Sequence, residues 1–90
     1  MTRVLVIRAA ARTEIGDAAG WYESQEPGLA AAFLGAVEAI LGRVERTPFQ
    51  FALIRQGEPY RRALVERFPY QVLFEILEER IVVIAVAHER

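Results

Sequence analysis

The spacing of apolar and polar positions predicts three closely spaced strands in the C-terminal third of the chain. Residues 71–77 alternate, with Val72, Phe74 and Ile76 on one face, whereas residues 60–66 are half apolar and carry arginines. Residues 81–87 are apolar at every position. Because successive side chains of a strand point to opposite faces, a run without a polar face must be covered on both sides or lie inside a sheet. Residues 81–87 are therefore predicted to form the central strand.

The links between these runs are only three or four residues long, at 67–70 and 78–80. A parallel crossover needs a dozen or more residues, so links this short allow only antiparallel neighbours. The pattern therefore predicts a three-stranded antiparallel meander whose best-buried strand comes last.

Two helices are predicted before the meander, over residues 9–25 and 29–46. In the first helix, Ile15, Ala18, Ala19 and Tyr22 recur at i, i+3, i+4 and i+7, and Glu14 lies away from this stripe. The second helix holds a longer stripe, formed by Leu29, Phe33, Ala36, Val37, Ile40, Leu41 and Val44.

Turn residues mark the ends of both helices. Pro27 and Gly28 break the first pattern, and Thr47 precedes Pro48, which pushes it out of the helical region. A two-residue break between helices predicts an antiparallel helical hairpin. The side chains expected in its core are Ile15, Phe33, Val37, Ile40 and Leu41, with Trp21 and Tyr22 packing in the core and at the helix end.

The element order predicts a two-layer α+β fold. Residues 3–8 form a short strand that is apolar on both faces, and residues 49–54 are expected to add a short edge strand. The order is thus β-α-α-β-β-β(β), in one domain that spans residues 1–90. Each helix has one apolar stripe and the sheet has a face to cover, so we expect the hairpin on one face of a mainly antiparallel sheet.

Composition narrows the function classes. The chain of 90 residues is 53% apolar and 26% charged, which is typical of a globular domain. The absence of Cys excludes disulfide and thiolate chemistry and agrees with a cytoplasmic location. No apolar run reaches the roughly 20 residues of a membrane span, so we expect no membrane association. With a net charge of −1 and a pI of about 5.8, the chain lacks a general basic field.

Motifs for cofactors are missing from the sequence. One His and no H-E-x-x-H motif make a zinc site improbable, and neither a P-loop nor a G-x-G-x-x-G motif occurs. The lone serine, Ser24, lies on a polar helix end, so there is no credible Ser–His–Asp set. We therefore expect neither a metal nor a cofactor.

One local cluster of side chains suits phosphate chemistry. Four arginines lie within thirteen residues, Tyr60 and Tyr70 flank them, and His88 ends the central strand; the arginines are Arg55, Arg61, Arg62 and Arg67. Arginines and aromatic groups on a sheet face, with an imidazole that titrates near pH 7, suit binding of an RNA phosphate and its transfer to a 2′-hydroxyl. The residue types alone favour a simpler role, in which charges on edge strands oppose aggregation and His88 is a plain strand-end residue.

Several segments together resemble the RelE/ParE superfamily of toxins from type II toxin–antitoxin modules. The resemblance covers nearly the whole chain and lies in WYESQEPGL, AAFLGAVEAILGRVERTP, YRRALVERFPYQVLFEI and IVVIAVAHER. It implies a β-α-α-β-β-β(β) fold with the first strand beside the last. It also implies a cognate antitoxin as partner, in a heterotetramer or larger complex.

The superfamily divides by activity. RelE-like members cleave mRNA in the ribosomal A site with basic residues and an aromatic or imidazole group, and ParE-like members poison DNA gyrase. The segments W-Y-E…P-G-L and R-F-P-Y resemble the ParE-like, plasmid-stabilisation branch. The lack of lysine and the acidic pI also favour that branch, so we expect a growth-inhibiting toxin that binds gyrase.

Two alternatives stay open. One is a ribosome-dependent endoribonuclease, in which the resemblance would make Arg62, Arg67 and His88 catalytic. The other is a degenerate toxin that only binds its antitoxin. In each case, the side chains expected to bind are Arg55, Arg61, Tyr60 and Tyr70.

Overall fold

A four-stranded sheet carries two helices on one face, in a computed structural model that describes residues 3–89. In chain order the elements are β1 (Val4–Ile7), α1 (Ala9–Gln25), α2 (Leu29–Arg46), β2 (Tyr60–Leu64), β3 (Tyr70–Ile76) and β4 (Arg80–His88). The predicted two-layer α+β fold is confirmed, and both helices have the predicted bounds.

The sheet has the strand order β1-β4-β3-β2. Strands β2, β3 and β4 pair antiparallel, which confirms the predicted meander. Strand β1 pairs with β4 in parallel, with Val4 opposite Arg80 and Ile7 opposite Val83. The first strand therefore lies beside the last, and β4 is an interior strand, as its apolar sequence predicts.

The turn between the helices is held by side-chain capping. Gly28 has φ 96°, a left-handed conformation that favours glycine. The carboxylate of Glu23, near the end of α1, accepts hydrogen bonds from the N–H groups of Gly28 and Ala30 at 3.0–3.2 Å. It thereby satisfies donors at the start of α2 that no helical carbonyl can reach. Neither helix of residues 3–89 is long and apolar enough to cross a membrane.

The core lies between the helical hairpin and the sheet. Helix α2 buries Phe33, Val37 and Ile40, as predicted. The prediction was wrong for Ile15 and Leu41, which are only half-buried, because each lies at the margin of its helix's contact with the sheet. The sheet contributes the fully buried side chains of Val72, Phe74, Ile81, Val83 and Val86.

The predicted edge strand over residues 49–54 does not form. A 3-10 helix occupies Pro48–Gln50, and the following segment makes one isolated bridge, between Leu53 and Arg61. Proline lacks an N–H donor and has a fixed φ, so it starts a helical turn more readily than it joins a ladder.

Apolar residues on both faces of β1 do not mean cover on both faces. Leu5 and Ile7 pack against the core, whereas Val4 and Val6 are 64% and 40% exposed on the other face. The helices cover one side of the sheet only. The opposite side therefore presents apolar side chains to solvent.

Candidate functional site

A bulge in β4 determines which side chains share a face of the sheet. Leu73 of β3 lies opposite Ala85, but the next residue, Phe74, lies opposite Val83, so Ile84 is an extra residue in β4. An inserted residue reverses the alternation of the side chains that follow it. Before the bulge Val83 faces the helices, and after it Val86 does; both are buried.

This reversal places His88 on the helix-facing side. His88 lies opposite Tyr70 in the strand register, and their rings meet edge to face with centroids 5.2 Å apart. Arg62, in contrast, lies opposite Leu73 and alternates with the buried Ala63, so it belongs to the other face. The structure thus separates Arg62 from His88, although the sequence suggested one cluster.

Arg67 lies in the turn between β2 and β3. It has φ 72°, the one positive φ of a non-glycine residue among residues 3–89. A side chain in this left-handed region costs roughly 1–3 kcal/mol, and such residues are often found at functional sites. The residue is exposed and belongs to neither of the two strands that the turn joins.

The predicted binding residues also occupy different places. Arg61 faces the helix side, where its Nη1 donates to the carbonyl of Phe51 at 2.6 Å and its guanidinium lies 5.4 Å from the ring centroid of Phe49. Arg55 is exposed in the loop before β2 and forms a 3.8 Å ion pair with Glu58. Arg61 therefore fixes the 3-10 segment to β2. Arg55 lies in a separate loop and takes no part in this contact.

We define the open sheet face as the side of the sheet that carries no helix. Its exposed apolar side chains include Val4, Val6, Ile54 and Tyr60. Exposed apolar patches of this kind commonly mark interaction sites. A hairpin on one face of the sheet leaves the other face partly open, as the sequence predicts, but the exposure of Val4 and Val6 was not predicted, although residues 4–7 are apolar at every position.

Charge on the open sheet face is unequal in sign. By strand register, the guanidinium groups of Arg8, Arg62 and Arg80 belong to this side, whereas Glu75 is the carboxylate that β3 places there. The face therefore exposes apolar side chains along both of its edges and carries more arginines than carboxylates. It suits a partner segment with apolar and acidic side chains.

A second surface, missed by sequence reasoning, lies on the helix side near the ends of β3 and β4. It is a shallow cavity of about 490 Å³ whose walls include Glu14, Asp17, Trp21, Tyr70 and His88, and we call it the aromatic–acidic depression. Trp21 is 57% exposed, so the expectation that its ring packs in the core was wrong.

Glu14 is also placed differently from the sequence expectation. Its Oε1 accepts a hydrogen bond from the backbone N–H of Val86 at 2.8 Å. Strand β1 pairs with β4 only as far as Val83, so Glu14 supplies the acceptor that β1 does not. The half-buried carboxylate thus takes part in holding α1 on the sheet.

Aromatic packing lies behind this depression. Tyr22 contacts the rings of Phe33, Phe68 and Tyr70, at centroid distances of 5.2, 5.0 and 6.2 Å. Burial, with a smaller effect from Tyr70, raises the pKa of the Tyr22 phenol above 10.0. The described residues 3–89 contain no group of three His, Asp or Glu side chains that could hold a metal ion.

Comparison with solved structures agrees with this fold. The chain superposes on a chain of the chromosomal ParDE toxin–antitoxin system from P. aeruginosa with a TM-score of 0.85 and 13% identity, covering 97% of this chain and 96% of that one. A chain of the RelBE2 toxin–antitoxin complex from Mycobacterium tuberculosis matches with a TM-score of 0.64 and 21% identity, covering 98% and 99%. No curated protein sequence matches.

The family comparison is more specific than the fold. Residues 5–90 match the model of the ParE toxin of type II toxin–antitoxin systems, parDE. The match covers nearly the whole chain and includes β1, both helices and the meander. This chain therefore belongs to the ParE toxin family of type II toxin–antitoxin systems, within the RelE/ParE superfamily.

Proposed function

We propose that this toxin inhibits growth in the cytoplasm by binding DNA gyrase, and that a cognate antitoxin neutralises it. One observation supports binding over RNA cleavage: Arg62 and His88 lie on opposite sides of the sheet. A nuclease must bring a phosphate-binding group and a proton-transfer group to one phosphate.

The distance requirement is strict. A general acid or base must come within hydrogen-bond reach, about 2.6–3.2 Å, of the proton that it moves. Groups that stabilise the developing charge must also contact the same reacting atoms. With the sheet between Arg62 and His88, and Arg67 on the turn, the three side chains do not surround one site. A binding protein has no such requirement.

The open sheet face supplies a surface for binding. Its exposed apolar side chains and its arginines complement a segment that is apolar and acidic. The similar ParDE and RelBE2 chains come from toxin–antitoxin systems, which supports an antitoxin as partner. An antitoxin that covers this face would also block any target that uses it, which would explain neutralisation.

The experiment compares three readouts for the wild type and four variants. Growth arrest, gyrase supercoiling and ribosome-dependent mRNA cleavage are measured for His88→Gln, Arg62→Gln, Arg67→Gly and Arg12→Gln. We expect the wild type to inhibit supercoiling and to leave mRNA intact. Loss of proton transfer typically lowers a rate 10²–10⁴-fold, so His88→Gln separates the enzyme from the binding protein. It should remain toxic, whereas Arg62→Gln should weaken inhibition.

Arg12 serves as the matched control because it is an exposed arginine of α1, away from the open sheet face. Arg67→Gly tests whether the Arg67 side chain is needed for toxicity. It introduces no steric strain in the turn, because glycine readily adopts φ 72°. Cleavage of A-site mRNA that disappears in His88→Gln would overturn the proposal. A chain that binds its antitoxin but neither arrests growth nor inhibits gyrase would be a degenerate toxin.

A further inference from the structure

We infer that the aromatic–acidic depression binds an arginine side chain of the antitoxin. The identity of the partner rests on the proposed function, whereas the chemistry of the ligand follows from the depression itself. The site lies on the helix-facing side and is distinct from the open sheet face.

The depression holds two carboxylates that form no ion pair with any residue of 3–89. Glu14 and Asp17 are three residues apart on α1, so both lie beside the same cavity. The Oε1 atom of Glu14 is fixed by the Val86 N–H, and its Oε2 makes no hydrogen bond within residues 3–89. No arginine among these residues comes within 4.0 Å of either carboxylate, although the chain has 11 arginines. Among the described residues, the depression therefore offers two carboxylates that no arginine neutralises.

The aromatic wall is in place before any ligand binds. Trp21 meets the Tyr22 ring edge to face at 5.1 Å, and Tyr22 is itself fixed against Phe33 and Phe68. Tyr22 thus gives the exposed Trp21 ring a fixed surface to rest on, which limits the side-chain freedom that Trp21 loses on binding. An exposed indole over a negatively charged cavity attracts a cation to its face, and Trp is the best of the aromatic residues for this contact.

Arginine fits these walls better than other cations. Its planar guanidinium stacks on an aromatic face and donates paired hydrogen bonds to a carboxylate, whereas lysine carries a compact point charge. A nucleic acid is unsuitable because Glu14 and Asp17 would repel its phosphates. A protein segment with an arginine is therefore the favoured ligand.

The position of the depression connects it to the proposed antitoxin surface. Strand β1 pairs with β4 only over Arg80–Val83, so no strand covers the outer edge of residues 84–88. A segment that lies on the open sheet face reaches the depression by passing over this edge. An antitoxin that wraps the sheet in this way covers both surfaces.

The first test measures the ligand chemistry directly. Trp21 is the single tryptophan, so fluorescence reports on the depression alone. N-acetyl-argininamide should give a saturable change in the millimolar range, and the matching citrulline amide, which is neutral and similar in shape, should not. Asp17→Asn should weaken the binding of the arginine probe about fivefold or more, because it removes a charge-assisted hydrogen bond whose strength the exposure of Asp17 reduces.

The matched control is Glu38→Gln, which removes one negative charge from an exposed position of α2, outside the depression. It should bind the probe as the wild type does. Equal responses to the arginine and citrulline amides, or equal affinities for Asp17→Asn and Glu38→Gln, would overturn the inference.

The second test uses the complex with the antitoxin encoded beside the toxin gene. Asp17→Asn should raise the dissociation constant at least fivefold, and Trp21→Leu about twofold to fivefold, as expected for a lost cation–π contact of about 0.5–1 kcal/mol. Each antitoxin arginine is then replaced by glutamine, alone and together with Asp17→Asn. For the arginine that occupies the depression, the loss of binding free energy in the double variant should be smaller than the sum of the two single losses.

The outcomes separate the inference from the proposed function. A tight complex that is unaffected by both toxin variants overturns the inference and leaves an antitoxin partner intact. If no complex forms, the antitoxin assignment fails, while the probe titration still decides what the depression binds. Self-association that Asp17→Asn abolishes, measured by sedimentation, would assign the site to an arginine of a second copy and overturn the inference.

Discussion

Phe33 is the side chain whose removal should destabilise this fold most clearly. It is 0% exposed and lies between three other rings, with centroid distances of 5.2 Å to Tyr22 and 5.3 Å to both Phe68 and Tyr70. A buried Phe→Ala change typically costs about 3–5 kcal/mol, and each aromatic pair contributes roughly 0.5–1.5 kcal/mol beyond the buried area. We therefore expect Phe33→Ala to cost about 4–5 kcal/mol.

This cost is large for a chain of 90 residues. At about 0.05–0.15 kcal/mol per residue, its whole free energy of unfolding is roughly 4.5–13.5 kcal/mol. The variant should thus lose about 30% or more of its free energy of unfolding. With a urea m-value of about 1–2 kcal/mol/M, the unfolding midpoint should fall by at least about 2 M.

The assay is urea unfolding followed by far-UV circular dichroism. Leu34→Ala is the matched control because Leu34 is the next residue of the same helix and is 44% exposed; it should cost well under 1 kcal/mol. If Phe33→Ala is unfolded without urea, Phe33→Leu gives a smaller and measurable loss at the same site. A Phe33→Ala variant that is as stable as Leu34→Ala would refute the reasoning.

Two further predictions concern α1. Glu14→Ala should cost about 1–3 kcal/mol and speed hydrogen exchange at Val86, because it leaves that N–H without its acceptor; Glu14→Gln, which keeps an acceptor oxygen, should cost less. Equal unfolding midpoints for wild type and Glu14→Ala would contradict this. The pKa of Tyr22 is raised above 10.0 by burial and by Tyr70, so above about pH 10 the unfolded chain loses this proton more readily than the folded one. The free energy of unfolding should be unaffected below that pH and should fall as the pH rises above it. It should fall less steeply for Tyr22→Phe, and parallel curves of stability against pH from pH 9 to 11 would refute this.

Local patterns were sufficient for the elements of this fold. The helices begin and end where the sequence predicts because a helical stripe and its turn residues act over a few neighbouring positions, as at Pro27, Gly28 and Pro48. The interior position of β4 also followed from its composition, since a strand without a polar face needs cover. The resemblance to the RelE/ParE superfamily likewise depended on segments that can be read directly from the chain.

Which side chains meet was decided by long-range packing. Had β4 alternated without interruption from Ile81, His88 would lie on the open sheet face, on the same side as Arg62; the extra residue Ile84 moves it to the helix side. Periodicity gives no sign of this bulge because residues 81–87 are apolar throughout. The exposure of Trp21 was equally hidden. A stripe shows that one side of a helix is apolar, but how far the sheet extends beneath that side depends on the pairing of strands distant in sequence.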